Sequence, residues 1–376
     1  MPASPFHLSA LASFFLLSLL PTEAAAQVQA LFIFGDSVVD CGNNDYLPGS
    51  TATADFLPYG IDLPAVTGRY TNARTVADIL GELLGIEHFV ACSRDPNTKG
   101  QRILNGVNYA SAGTGILEWT GRGEIITPLP DQVLHFEEKT LPDLESQLGK
   151  NLPSFLSKSL FLFNTGGNDY ISNCFGEYEC DIPTFTEFLV TNYTTILKGM
   201  YNLGARNFVL FSAEVSGCTP FGRSSNDGIC NEDYNYASTT FNTRLNASID
   251  ELNQEMADAH FIFVSLYQMI TEIIEDPSAY GFDNITAPCC KVPDGATICE
   301  EAGAVCPDRS KYLYFDGGHP TDAANIILAN RAFYSNQTTM AYPFNVKQLM
   351  NVTSLRDDTR KATKPWSMPT NFKDVQ

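Results

Sequence analysis

Four short apolar runs dominate the hydrophobic pattern of the chain: ALFIFGDS at residues 30–37, SLFLFNTGGND at 159–169, NFVLFSA at 207–213 and HFIFVSL at 260–266. Each is of strand length, and apolar residues do not alternate with polar ones within it. That pattern predicts strands buried on both faces, as in a parallel sheet covered by helices. Longer stretches between them carry the helical period. Residues 74–84 place Val76, Ile79, Leu80, Leu83 and Leu84 on one stripe. Residues 186–203 and 233–258 read as helices too, and 321–335 as the last helix, with Pro320 near its first turn. The alternation predicts an α/β fold: a three-layer α/β/α sandwich with a mostly parallel central sheet and right-handed crossovers. No internal repeat, long linker or low-complexity block interrupts it.

The two ends read differently. An apolar stretch beginning at Phe6 is followed by Ala24-Ala25-Ala26 and Gln27. It is short for a bilayer span, and its small-residue end suits signal peptidase, although no positive charge precedes it. The expected organisation is a signal peptide at 1–26, one domain at 27–355 and a polar tail at 356–376. Ten cysteines, all beyond the signal segment, support an oxidising destination. The short separations Cys174 to Cys180 and Cys218 to Cys230 invite local disulfides. The four cysteines from 289 to 306 predict a stapled loop, with connectivity open. Five N-x-S/T sequons at Asn192, Asn246, Asn284, Asn336 and Asn351 are candidate glycosylation sites of a secreted, extracellular protein.

Composition narrows the partners. The 376 residues are 44% hydrophobic and 18% charged, which is a globular balance, and the formal net charge is −20. Such a charge repels phosphate backbones and anionic lipid surfaces, so neither nucleic acid binding nor stable membrane insertion is expected. Oligomeric state is not legible.

Candidate chemistry starts from the five histidines. His7 leaves with the signal segment, and His88, His135 and His260 have ordinary structural settings. His319 differs, because Asp316 precedes it by three residues in the glycine-containing loop DGGHPTDAAN, just before a helix. A carboxylate at that spacing can fix the imidazole tautomer and stabilise the imidazolium; the plainer alternative is that the two residues shape a helix start. The nucleophile elbow G-x-S-x-G is absent, and its nearest approach is YASAG around Ser111. No P-loop, zinc helix or dinucleotide fingerprint occurs, so no cofactor and no metal are expected. Ser37 follows a strand at its carboxyl end, where open α/β sheets place their sites. As an isolated hydroxyl there it could equally cap the next helix. Two further stretches supply polar donors. GVNYASAGTGIL brings Gly113 and Gly115, whose backbone can approach a ligand closely, and NTGGNDY brings the Asn168 amide. Either alone could be an ordinary Gly/Asn turn.

Taken in order, FGDSVVDCGNN, GVNYASAGTG, GGNDY and DGGHPTDAAN resemble the four motifs of the GDSL esterase/lipase family of SGNH hydrolases, in its secreted plant-type branch. The likeness runs from about residue 30 to about 345, and APCC ahead of Cys299 and Cys306 is similar to that branch as well. The resemblance implies a flavodoxin-like SGNH hydrolase fold and acyl-ester chemistry. It implies Ser37 as nucleophile, His319 as general base and acid, and Asp316 as its orienting carboxylate. The oxyanion hole would comprise the Ser37 and Gly113 backbone N–H groups and the Asn168 side chain. Three positions depart from the usual pattern: Phe315 where Trp is common, Gly318 where a bulky residue often precedes the histidine, and Val38 where Leu is usual. They bear on pocket shape. The expected activity is hydrolysis of small-molecule or lipid carboxylic esters through an acyl-enzyme. The alternatives are an acyltransferase using the same triad with an alcohol acceptor, and a catalytically silent binding protein.

Overall fold

The computed structural model describes residues 28–175 and 180–359, with side chains placed through residue 352. The predicted signal segment lies outside the described residues, as does the tail beyond residue 359. Seven strands form one sheet: β1 Leu31–Gly35, β2 Ala91–Cys92, β3 Val107–Asn108, β4 Leu160–Asn164, β5 Asn207–Phe211, β6 His260–Val264 and β7 Ala341–Tyr342. Their order is β2-β3-β1-β4-β5-β6-β7. All neighbours are parallel except β6 with β7. The four long strands are those predicted from the apolar runs. The two-residue strands are too short to show any period, and β7 adds an antiparallel edge that the sequence did not announce.

The sheet is buried on both faces, which is why its strands need no alternation. Phe32 and Phe34 of β1 point into one apolar layer, with Phe161, Phe163, Phe208 and Phe261. Leu31 and Ile33 point into the other, with Leu162, Val209 and Ile262. Rings in the first layer stack across the strands: Phe32 on Phe161 with centroids 5.0 Å apart, and Phe208 on Phe261 at 4.2 Å. Such pairs add to the burial of each ring.

The long helices Ile182–Asn202 and Glu232–Glu255 cover the first face. Helices Val76–Leu83, Leu266–Glu275 and Asp322–Tyr334 cover the second. Predicted helix limits fall within a few residues of these. The helix at 322–334 is not the last, because Val346–Thr359 follows it and carries helix into the stretch expected to begin the tail. Pro320 lies outside the first turn; Thr321 is the cap, its hydroxyl accepting from the Ala324 N–H. Thr75 and Asp78 form a capping box on Val76–Leu83. Arg74 clamps the two helix starts together by gripping Asp322 from 2.9 Å.

All ten cysteines are paired: Cys41–Cys92, Cys174–Cys180, Cys218–Cys230, Cys289–Cys306 and Cys290–Cys299. The two local pairs and the stapled loop follow the predicted spacing. A third, smaller apolar cluster forms over that loop from Tyr59, Tyr70, Ala112 and Phe315.

Candidate active site

The chain leaves β1 for β2 and β3 on one side and then crosses to β4 on the other. This leaves a crevice outside the carboxyl end of β1, the switch point where open α/β sheets hold ligands. Ser37 stands there. Gly35 makes the exit possible. Its φ is +147°, and a Cβ on it would lie 2.1 Å from the Asn164 carbonyl oxygen. That closeness lets the Asp36 N–H donate to the same oxygen at 3.1 Å. The Asn164 amide returns a bond to Asp36 Oδ1 at 3.0 Å. Gln132, fully buried, grips Gly35 on both sides. Its Oε1 accepts from the Gly35 N–H and its Nε2 donates to the Gly35 carbonyl, both at 2.9 Å.

Ser37 Oγ lies 2.7 Å from His319 Nε2, although 282 residues separate them in sequence. His319 Nδ1 lies 2.8 Å from Asp316 Oδ2 and 2.9 Å from Oδ1. Asp316 is wholly buried, whereas the His319 side chain keeps 12% of its surface exposed. Four donors converge on this carboxylate. The Gly318 and His319 backbone N–H groups reach Oδ1 at 2.8 and 2.7 Å, and the Tyr59 hydroxyl reaches Oδ2 at 2.6 Å beside the imidazole. Tyr59 is itself set by the Cys299 N–H, which donates to its oxygen at 3.0 Å. The stapled cysteine loop thereby positions the carboxylate. The Asp316–His319 loop closes through the Phe315 N–H on the His319 carbonyl.

The glycine segment after β3 is held by three polar residues. Asp40 accepts from the Gly42, Asn43 and Ala112 N–H groups. Asn44 donates to the Ala112 carbonyl. Asp169 takes the Ile116 and Leu117 N–H groups and the Thr120 hydroxyl. Gly113 has φ +82°, the left-handed region that favours glycine, with only Ile126 near its missing Cβ. Asn168 donates one amide hydrogen to the Thr114 carbonyl at 2.9 Å, which leaves its other hydrogen uncommitted by any described contact. Ser37, Gly113, Asn168 and His319 are each partly accessible amid buried neighbours, and all four line one cleft of about 530 Å³.

Burial and charge shape the titration. Burial pulls the His319 imidazole down, but the Asp316 charge and hydrogen bond outweigh it and hold it above its ordinary value. Burial pushes the Asp36 carboxyl up to about 7, against the Val38 N–H, His319 and the Asn164 amide. The same cause raises Asp40 and Asp169 to about 6 and Glu214 to about 8.

Ser111, the near miss, is walled in: its hydroxyl donates to Asn44 and accepts from the Thr127 N–H. His135 packs edge-on against Tyr109, and His260 lies in β6. Of the sequon asparagines, Asn336 and Asn351 are exposed, and Asn192, Asn246 and Asn284 are half-buried. Gln132, Tyr59, Asp40, Asn44 and Asn164 were not singled out from sequence.

The family model for GDSL-like lipase/acylhydrolase matches residues 31–332. Three GDSL esterase/lipases of Arabidopsis thaliana show the same relationship. One is 36% identical over 345 residues, covering 88% of this chain and 93% of the relative. A second is 37% identical over 337 residues, covering 86% of each. A third is 38% identical over 337 residues, covering 86% and 89%.

The chain belongs to the GDSL esterase/lipase family.

This GDSL hydrolase is a carboxylic ester hydrolase of the SGNH type, and small-molecule esters are its substrate class. Among solved structures, a catalytic mutant of an acetylxylan esterase from Geobacillus stearothermophilus aligns with a TM-score of 0.38 and 14% identity, over 81% of this chain and 92% of that one. At that score the likeness carries no weight for function. Among the described residues of the GDSL hydrolase no helix is long and apolar enough to cross a membrane.

Proposed function

We propose that the protein is a secreted serine esterase in which Ser37, His319 and Asp316 form the catalytic triad. The observation that carries this reading is the unbroken chain from Ser37 Oγ through both His319 nitrogens to a buried carboxylate, at 2.7 and 2.8 Å. Asp316 holds Nδ1 protonated, so Nε2 is left as the acceptor for the serine proton. Ser37 Oγ attacks the ester carbonyl while His319 takes its proton. The developing oxyanion is received by the Ser37 and Gly113 backbone N–H groups and the free hydrogen of the Asn168 amide. His319 then gives the proton to the leaving alcohol, and an acyl-Ser37 ester remains. Water, deprotonated by the same nitrogen, releases the acid and restores Ser37.

Neutral His319 at the working pH is required for the first step. The five disulfides, the N-terminal apolar segment and the exposed sequons Asn336 and Asn351 support an extracellular site of action. The test is pre-steady-state hydrolysis of 4-nitrophenyl butyrate. Wild type releases a burst of nitrophenolate equal to the enzyme present, and Ser37→Ala releases none. Steady turnover by Ser37→Ala at the wild-type rate overturns the assignment. Adding a primary alcohol and separating the products distinguishes hydrolysis from acyl transfer, with free acid as the expected main product.

A further inference from the structure

The cleft wall opposite the glycine segment is built from the carboxyl ends of β4 and β5, which run side by side with Phe163 paired to Leu210. Beyond that pair the chain places Asn164 and Thr165 on one strand exit and Ser212 to Glu214 on the other, and all of these residues line the cleft. Three of their polar atoms are buried and make no hydrogen bond among the described residues: Asn164 Oδ1, Thr165 Oγ1 and Glu214 Oε1. None belongs to the triad or to the oxyanion donors. Buried polar atoms are ordinarily paired, so three unpaired ones on one wall of a ligand cleft point to a polar ligand group.

The wall is rigid. Asn242 brackets Ala213, its Oδ1 accepting from the Ala213 N–H at 2.8 Å and its Nδ2 donating to the Ala213 carbonyl at 2.9 Å. Ser212 Oγ accepts from the Tyr267 N–H, and the Glu214 carbonyl accepts from the Ser216 N–H. These bonds fix the backbone at Glu214, while its carboxyl oxygen Oε1 is left without a partner. The other cleft carboxyls are committed: Asp36 to Asn164 and the Val38 N–H, and Glu124 to the Thr51 hydroxyl.

Resting on the esterase reading above, we propose that Glu214, Thr165 and Asn164 form a second polar subsite that binds a hydroxyl group of the substrate, so that the enzyme prefers hydroxylated esters to plain alkyl esters of the same length. A hydroxyl both donates and accepts, which suits an amide oxygen, a threonine hydroxyl and a carboxyl together. A substrate carboxylate does not fit, since no Lys or Arg lines the cleft while Asp36, Glu124 and Glu214 do. An ammonium would require ionised Glu214, and burial with Asp36 and Asp316 nearby keeps that carboxyl protonated up to about pH 8.

The experiment compares kcat/KM for propyl butyrate, 2,3-dihydroxypropyl butyrate and 2-(trimethylammonio)ethyl butyrate, and for methyl butyrate against methyl 4-hydroxybutyrate. Wild type is expected to favour the hydroxylated member of at least one matched pair by about tenfold, the value of one satisfied buried hydrogen bond. Glu214→Leu should bring that ratio close to one. Glu214→Gln, which still donates and accepts, should keep most of it, and Thr165→Val, nearly isosteric, should lower it severalfold. Wild-type ratios near one in both pairs overturn the subsite. So does a preference for the trimethylammonium ester, or an equal fall of the ratio in Glu214→Gln and Glu214→Leu. Fluorophosphonate labelling in the same preparations separates the two readings. Labelled Ser37 with flat ratios removes the subsite alone, and unlabelled Ser37 removes the esterase reading beneath it.

Discussion

Replacing Asp316 by asparagine changes one atom and should nearly silence the enzyme. Asp316 Oδ1 accepts two backbone N–H groups, from Gly318 at 2.8 Å and His319 at 2.7 Å. In Asp316→Asn those donors require the amide oxygen on their side. Turning the amide round would leave both unsatisfied, at about 1–3 kcal/mol each. The amide NH2 therefore occupies the Oδ2 position, 2.8 Å from His319 Nδ1. Facing a donor, Nδ1 becomes an acceptor and the ring proton moves to Nε2. Nε2 then donates to Ser37 Oγ instead of taking its proton. The imidazolium formed in the reaction also loses its counter-charge. The expected fall in kcat is about 10³- to 10⁴-fold, or roughly 4–5 kcal/mol of barrier. KM should change little, while the melting temperature should fall by several degrees, because the buried Tyr59 hydroxyl that donates to Oδ2 then faces an NH2 group and loses its acceptor. The assay is kcat and KM on 4-nitrophenyl butyrate, with circular dichroism to check the fold. A variant that keeps a tenth of the wild-type kcat refutes the tautomer argument, and so does a loss carried wholly by KM.

Three further outcomes are expected. Asn168→Ala removes a side-chain donor from the proposed oxyanion site and should lower kcat about 100-fold, near 3 kcal/mol, with KM almost unchanged; a change in KM alone would contradict that role. Catalysis needs neutral His319, and that imidazole is held above its ordinary value of 6.5, so kcat/KM should fall as pH drops through a midpoint above 6.5, and a midpoint below it contradicts the Asp316 influence. Gly35→Ala would set a Cβ 2.1 Å from the Asn164 carbonyl at φ +147°, so the variant should lose about 3 kcal/mol or more of stability, measured by denaturant unfolding, and a near-native midpoint would show that the turn relaxes easily.

How much of this was legible from sequence depended on distance along the chain. The apolar runs of β1, β4, β5 and β6 could be read locally, because a strand buried on both faces declares itself in five residues. β2 and β3 could not, since two residues carry no period, and their placement comes from pairing with β1. Ser37, Gly113, Asn168, Asp316 and His319 were singled out because each sits in a short motif with its own local signal. Their supports have no such signal. Gln132 holds Gly35 across 97 residues, and Tyr59 holds Asp316 across 257. A buried Gln or Tyr looks like any other until the fold brings its partner close. Glu214 lay unremarked for the same reason: only the shared cleft shows that its Oε1 is buried without a partner. Cysteine spacing pointed to the two local bridges, but Cys41–Cys92 and the nested pairing of Cys290–Cys299 inside Cys289–Cys306 needed the backbone path.

The central claim is that Ser37 is the reacting nucleophile, and mapping a covalent adduct tests it most directly. The purified protein is treated with a fluorophosphonate, digested, and sequenced by mass spectrometry, alongside His319→Ala. One adduct is predicted on the peptide that contains Ser37, formed rapidly in wild type and very slowly in His319→Ala. An adduct on Ser111, or rapid loss of activity with Ser37 unmodified, would contradict the account.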